Sequence, residues 1–473
     1  MPAQYTTPTR HSTCAPSAPS TGSEDCLYLG VYSRPWSQNN TQSKQNLRPV
    51  LLTFYGGGFI RGNAAFDIPP SGFPVLNVSQ QNDYVVVYSN YRTNVFGFLP
   101  GSKIAAHPHV DLNPGLLDQQ AALLWIQKHI HRFGGDKRNV TIWGQSAGGG
   151  SVVAQTIATG NRGKNLFTKA MASSPFWPKT PRYDSVWAED LYAQTVQDVG
   201  CANHTDEITC LKTADVQALR DSALKLSTSQ QYTTSSFTWG PVIDDSFLAE
   251  SLSEVIISSS KGGKSKSLNA NAILTSYNLH EGENFIPPGF ASNTTTDSSS
   301  GFNFSQASFD EWLAGYLPAF TAEDLENVKR LYPATGDAEE ISWNTTYVRA
   351  GLLYRDLVLA CPAYWLSSNA EKGGWLMEYT ISPAKHASDV WNTINPIQQS
   401  DVLTYEAYVG AMASFIQTGD PNAHKVTNGS VAGVPGVQQG GGKQFLVTAA
   451  GIRTSGVRML EERYAVIASL KTR

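Results

Sequence analysis

No run of about 20 apolar residues occurs anywhere in the sequence, which excludes a membrane-spanning helix. Neither sign of charge dominates: 35 Lys and Arg stand against 39 Asp and Glu, a formal net charge of -4. A chain so balanced offers no polycationic surface for phosphate backbones, so nucleic acid is excluded as a partner. Cysteine is scarce, five in 473 residues, and there is neither a C-x-x-C pair nor the converging His and Cys spacing of a metal site, so no metal is expected. Met1 to Ser12 holds no apolar stretch of the kind a signal peptide needs, and Ala465 to Arg473 is too short and charged for a lipid-anchor signal. With no internal repeat and no dividing linker, residues 1–473 are expected to form one domain elaborated by loop and helical insertions.

Apolar material, by contrast, is ample: 41% of residues are hydrophobic and only 16% charged, enough for a large buried core. The 11 Trp, 20 Tyr and 19 Phe belong mostly to that core, with some left to line an apolar pocket. Short runs rich in β-branched residues (Val50 to Phe54, Tyr84 to Ser89, Val140 to Trp143, Ala272 to Tyr277, Trp375 to Ile381) alternate with helical patterns such as Leu116 to Arg132. That alternation predicts an α/β fold, a mostly parallel central sheet with helices on both faces. Ser37 to Asn46, Ser258 to Ser267, Ser292 to Ser308 and Gly433 to Gly442 read as loops by composition.

The cysteines fall into two close pairs, Cys14 with Cys26 and Cys201 with Cys210, which short-range disulfides would explain; Cys361 is left over as a core thiol. Acceptor triplets for N-glycosylation begin at Asn39, Asn77, Asn139, Asn203, Asn293, Asn303, Asn344 and Asn428. Paired cysteines and repeated acceptor sites together point to a secreted protein. Asn139 lies in a predicted buried strand and reads as a chance triplet.

Two glycine clusters carry chemistry. Gly144-Gln145-Ser146-Ala147-Gly148 lies between the strand Val140 to Trp143 and a segment that can open a helix. A sharp turn in that context lifts a serine hydroxyl above the sheet edge, although in a Gly- and Ser-rich chain the pentapeptide alone could be an ordinary turn. The second cluster, Tyr55-Gly56-Gly57-Gly58-Phe59, again follows an apolar strand. Residues without side chains let backbone N–H groups approach a developing oxyanion, and Gly57, Gly58 and Ala147 are the candidate donors.

With these motifs the chain resembles the type-B carboxylesterase and lipase family, which includes the cholinesterases. Further matching segments are Ser23-Glu24-Asp25-Cys26-Leu27-Tyr28-Leu29, Asn90-Tyr91-Arg92, Phe96-Gly97-Phe98-Leu99, Gly115-Leu116-Leu117-Asp118-Gln119, Phe133-Gly134-Gly135-Asp136, Thr418-Gly419-Asp420-Pro421-Asn422 and Met459-Leu460-Glu461-Glu462-Arg463. The resemblance implies an α/β-hydrolase fold and a serine esterase without cofactor, acting on small-molecule esters. It also implies a structural ion pair between Arg92 and Asp136. Family members usually carry several dozen residues ahead of the segment matching Ser23 to Leu29, so early strands are expected to be missing here.

This fold orders its triad as nucleophile, acid, histidine. Beyond Ser146 stand His204, His280, His386 and His424; His386, in a loop after the strand Trp375 to Ile381, resembles the family's histidine. Glu281, in Asn278-Leu279-His280-Glu281-Gly282-Glu283, resembles the acid, with Glu283 as its competitor and Asp244 or Asp245 assigned to structure. Ser174 resembles a family serine near the triad. Phe59, Phe176 and Trp177 are candidates for an apolar substrate pocket or for core. If Cys14 pairs with Cys26, the loop between them lacks any aromatic residue, and Gln145 stands where cholinesterases have glutamate. Uncharged aryl or alkyl esters are therefore expected as substrates. An acyltransferase with the same triad, and a non-catalytic adhesion protein of the family, are the alternatives.

Overall fold

The computed structural model describes residues 23–33, 47–64, 72–79, 83–230, 238–260, 268–291, 301–338, 340–396, 401–427, 431–438, 441–457 and 462–463. The strands are β1 (Leu29–Tyr32), β2 (Arg48–Phe54), β3 (Val85–Ser89), β4 (Gly135–Gln145), β5 (Lys169–Ser173), β6 (Ala272–Asn278), β7 (Gly336–Ala338), β8 (Ile341–Trp343), β9 (Gly373–Tyr379), β10 (Val437–Gln438), β11 (Gly441–Thr448) and β12 (Gly451–Gly456). Ten of them form one sheet in the order β1-β3-β2-β4-β5-β6-β9-β11-β10, with β12 also paired to β11; β7 and β8 form a separate hairpin. From β3 to β11 every neighbouring pair is parallel, and β1, β10 and β12 are antiparallel additions. β3, β5 and β6 are buried at every position, as strands covered on both faces must be.

Parallel pairing has a consequence for function: the carboxyl ends of the strands share one edge. Phe54 pairs with Gly144, Gln145 with Ser173, Ser173 with Ser276, and Asn278 with Tyr379. The glycine cluster after β2, Ser146 after β4, Glu281 after β6 and His386 after β9 therefore all emerge on the same side of the sheet, where open α/β sheets bind ligands.

Several expectations change in detail. Ser258 to Ser260 closes the helix Leu252–Ser260, and the helix Gln306–Tyr316 begins inside the stretch read as a Ser-rich loop. Gly441 and Gly442 open β11 instead of ending a loop, because they pair with Gln438 and Val437 of β10. Arg92 does not pair with Asp136. Its guanidinium grips Asp118, with Nε 2.9 Å from Oδ2 and Nη2 2.8 Å from Oδ1, because the first turn of the helix Pro114–His129 sits against the Arg92 loop. Asp136 instead holds Arg138, two residues along the same strand.

Cys201 and Cys210 form a disulfide, and Cys361 is a buried cysteine outside that bridge. Cys26 is buried, while its expected partner Cys14 lies outside the described residues. So do any strands ahead of residue 23. Of the acceptor asparagines, Asn39, Asn293 and Asn428 are outside the described residues; Asn77, Asn203 and Asn344 are exposed. Asn139 is committed inside the fold, donating to the Gln417 carbonyl at 3.4 Å and accepting from Lys169 Nζ at 2.5 Å.

Lys169 is the buried cation of this region, at 5% exposure, and burial pushes its amine down to about 7. An unfolded chain keeps that proton up to the ordinary lysine range near 10.5. Between these values the unfolded state binds more protons, so the lysine's contribution to stability rises with pH from about 7 and is at its least favourable below. Wild type is therefore expected to gain melting temperature over Lys169→Met as pH is raised from 6.5 to 9; parallel curves would show that burial does not hold the amine neutral.

Candidate active site

Ser146 directly follows β4 at φ 59° and ψ -127°, a left-handed conformation that a non-glycine residue adopts only when its surroundings dictate it. The turn works because its flanks are stripped of side chains. A methyl group added at Gly148 would lie 2.2 Å from the Phe54 carbonyl oxygen, so only glycine lets the helix Ala147–Ile157 start this close to β2. Its hydroxyl oxygen stands 2.8 Å from His386 Nε2.

His386 lies seven residues beyond β9, on a loop in which Ala384 and Ala387 have φ of 47° and 68°. Its Nδ1 is 2.9 Å from Glu281 Oε2. Glu281 is fully buried, and its other oxygen accepts the Asn278 N–H at 3.2 Å. A carboxylate only accepts, so Nδ1 carries the proton and Nε2 presents its lone pair to the serine hydroxyl. The Gln145 amide nitrogen, 3.3 Å from Nε2, reaches the same lone pair.

The other candidates separate cleanly. Glu283 turns away, its Oε1 2.7 Å from His280 Nδ1 and its Oε2 on Lys385 Nζ. Burial acts to raise the Glu283 carboxyl, but the bonds from His280 and Lys385 outweigh it and leave it below the ordinary range. Asp244 caps a loop, accepting the N–H groups of Ser246, Phe247 and Leu248, and Asp245 pairs with Arg182. His204 is exposed, and His424 faces Gln417 Oε1 at 3.0 Å.

The glycine cluster runs against this trio: a methyl at Gly56 would come within 3.1 Å of Ser146 Cβ. Gly57 (φ 107°), Gly58 (φ 65°) and Phe59 (φ 62°) follow in the left-handed region, which suits the two glycines. Stacked Tyr55 and Tyr91, 4.1 Å between centroids, hold the base of this loop, and each hydroxyl donates to the other's carbonyl.

Comparison with known proteins identifies the family of the chain. Residues 2–432 match the model of the carboxylesterase family. A curated relative, carboxylesterase patB of Aspergillus clavatus, is 31% identical over 412 residues, covering 85% of this chain and 68% of its own. The chain belongs to the carboxylesterase family. This carboxylesterase is also 34% identical over 239 residues to a secreted triacylglycerol lipase, LIP1 of Gibberella zeae, a match covering 49% of the chain and 39% of the lipase. The solved structure of Aspergillus niger EstA superposes with a TM-score of 0.77 at 23% identity, covering 98% of the carboxylesterase and 87% of EstA, and so shares its α/β-hydrolase fold.

Around the histidine the carboxylesterase builds an aromatic wall. Phe59 and Phe176 are buried with ring centroids 6.5 Å apart, and Trp177, next in the chain after Phe176, is buried too, its backbone N–H donating to the Val358 carbonyl. Phe285, which composition did not single out, is the half-buried ring between them and the imidazole: 5.0 Å from His386 edge-on, 5.7 Å from Phe176 and 5.1 Å from Tyr354. Its position four residues past Glu281 was the available signal. Behind Glu281, Asn278 donates to Ser174 Oγ and to Asp389 Oδ1, both at 3.0 Å, and Tyr408 donates to Asp389 Oδ2 at 3.0 Å. Burial, with the nearby Glu281 charge, raises the Asp389 carboxyl.

Proposed function

We propose that this carboxylesterase hydrolyses esters through an acyl-enzyme on Ser146, with His386 as base and acid and Glu281 as the group that orients it. The contact series carries the reading: hydroxyl to Nε2 at 2.8 Å, then Nδ1 to carboxylate at 2.9 Å. His386 Nε2 takes the serine proton as Oγ bonds the ester carbonyl carbon. The resulting oxyanion is met by the N–H groups of Gly57, Gly58 and Ala147. Collapse expels the alcohol, which leaves with the proton from Nε2, and water repeats the sequence to free the acid.

Neutral Gln145 at Nε2, and the wall of Phe285, Phe176 and Phe59, favour uncharged aryl or alkyl esters over cationic ones. The Cys201–Cys210 disulfide, the exposed acceptor asparagines and the word "secreted" in a relative's name support action outside the cell. One sheet drawing strands from Leu29 to Gly456 supports a single domain.

A fluorescent alkyl phosphonate tests the serine directly. One label per chain on the Ser146 peptide, with loss of esterase activity in step, is the expected result. Stoichiometric label on another residue, or full activity after Ser146 is labelled, would refute it.

A further inference from the structure

The loop that carries His386 is tied to the segment that carries Glu281 at more points than the triad needs. His280 N–H donates to the Ala384 carbonyl at 2.9 Å, and His386 N–H donates to Asn284 Oδ1 at 2.9 Å. Between these lies a charged tie. Lys385, the residue before His386, sets its ammonium on Glu283, two residues after Glu281. The Glu283 side chain is only 6% exposed, and Lys385 is 34% exposed. His280 donates to the other Glu283 oxygen, so both carboxylate oxygens are engaged.

Glu283 is itself fixed. Its backbone carbonyl accepts the Tyr347 hydroxyl at 3.1 Å, and its side chain lies against Gly351, where a methyl group would come within 2.4 Å of Cγ. The Lys385 ammonium also sits over the Tyr347 ring, 5.1 Å from the centroid. Among the described residues no hydrogen bond or ion pair joins Glu283 or Lys385 to Ser146, and it is Glu281 that holds the imidazole of His386 on its Nδ1 side. A buried carboxylate is a costly way to decorate a loop unless its charge is used.

The geometry points to Glu283 and Lys385 as a pair of positioning residues for the hydrolytic reaction: their ion pair clamps the 383–388 loop so that His386 Nε2 stays on the line to Ser146. This rests on the serine reading above. Two non-glycine residues of the His386 loop are in left-handed conformation, so the loop is held against its own preference. A release that moves an imidazole by about 1 Å costs on the order of a hundredfold in rate.

The test uses Glu283→Gln, Lys385→Met, their combination and Lys385→Arg, with kcat expressed per phosphonate-titrated serine so that unfolded protein is divided out. Each single neutral variant is expected to lose about tenfold to a hundredfold in kcat with KM within about twofold. The double variant should lose no more than the worse single, because the two act as a unit. Lys385→Arg, which keeps the charge, should return to within about threefold of wild type.

Unchanged kcat in Lys385→Met, additive losses in the double variant, or Lys385→Arg as slow as Lys385→Met would each overturn the clamp while leaving wild-type labelling of Ser146 intact. Failure of the wild type to label would overturn the serine reading and the clamp with it.

Discussion

Ser146→Ala is expected to fold as the wild type does and to lose ester turnover by on the order of 10⁶-fold, the scale seen when a serine hydrolase loses its nucleophile. The two halves of that expectation have separate causes. The strain at position 146 lies in the backbone, at φ 59°, and alanine carries the same Cβ, so the turn is no worse for it. What disappears is the oxygen 2.8 Å from His386 Nε2, which has no substitute in the site. Melting temperature should therefore move by no more than about 2 °C, the effect of losing one partly exposed hydrogen bond. Residual hydrolysis of an activated aryl ester, about 10³- to 10⁴-fold above water, would come from the oxyanion donors and binding alone. Activity within tenfold of wild type would remove Ser146 from the mechanism.

The fold was legible wherever strand composition is strong. Val50 to Phe54 and Ala272 to Tyr277 are buried, carry β-branched or aromatic residues (Val50, Thr53 and Phe54; Ile273, Thr275 and Tyr277), and both sit within strands of the sheet. β5 escaped notice because Lys169–Ser173 reads Lys-Ala-Met-Ala-Ser, with no β-branched residue; it is a strand because β4 and β6 flank it. β11 was obscured by the glycines at its start. In the site, the serine and the histidine were readable because the turn demands glycine at 148 and the order of the fold demands a late histidine. The acid was ambiguous, since Glu281 and Glu283 stand two residues apart in one 3-10 turn that sends them to different partners. The Arg92 partner was misread for a related reason: Asp118 and Asp136 both follow recognisable segments, and only the packing of a helix start against the Arg92 loop selects Asp118.

The same ambiguity makes Glu281→Gln the more searching experiment. Glutamine is close in size to glutamate, so the buried site stays filled, but it has one acceptor oxygen where two are used. The Asn278 N–H, 3.2 Å from Oε1, is a backbone donor that cannot become anything else. The imidazole can exchange its proton between nitrogens. The amide oxygen therefore goes to Asn278, and the amide NH₂ faces His386 Nδ1, which must then accept. His386 is left with its proton on Nε2, pointing an N–H at the serine oxygen it should deprotonate. The imidazolium that forms as the serine reacts also loses its counter-charge. A loss of about 10⁴-fold in kcat is expected, the cost of a wrong tautomer in a serine triad, with KM within a few-fold. Glu283→Gln, which disturbs the same turn without touching the imidazole, should fall short of that by at least about a hundredfold if its effect is confined to positioning. Assayed together on one aryl ester, the two variants rank the acids: Glu281→Gln retaining more activity than Glu283→Gln would transfer the orienting role to the other carboxylate and break the series that runs from Ser146 through His386.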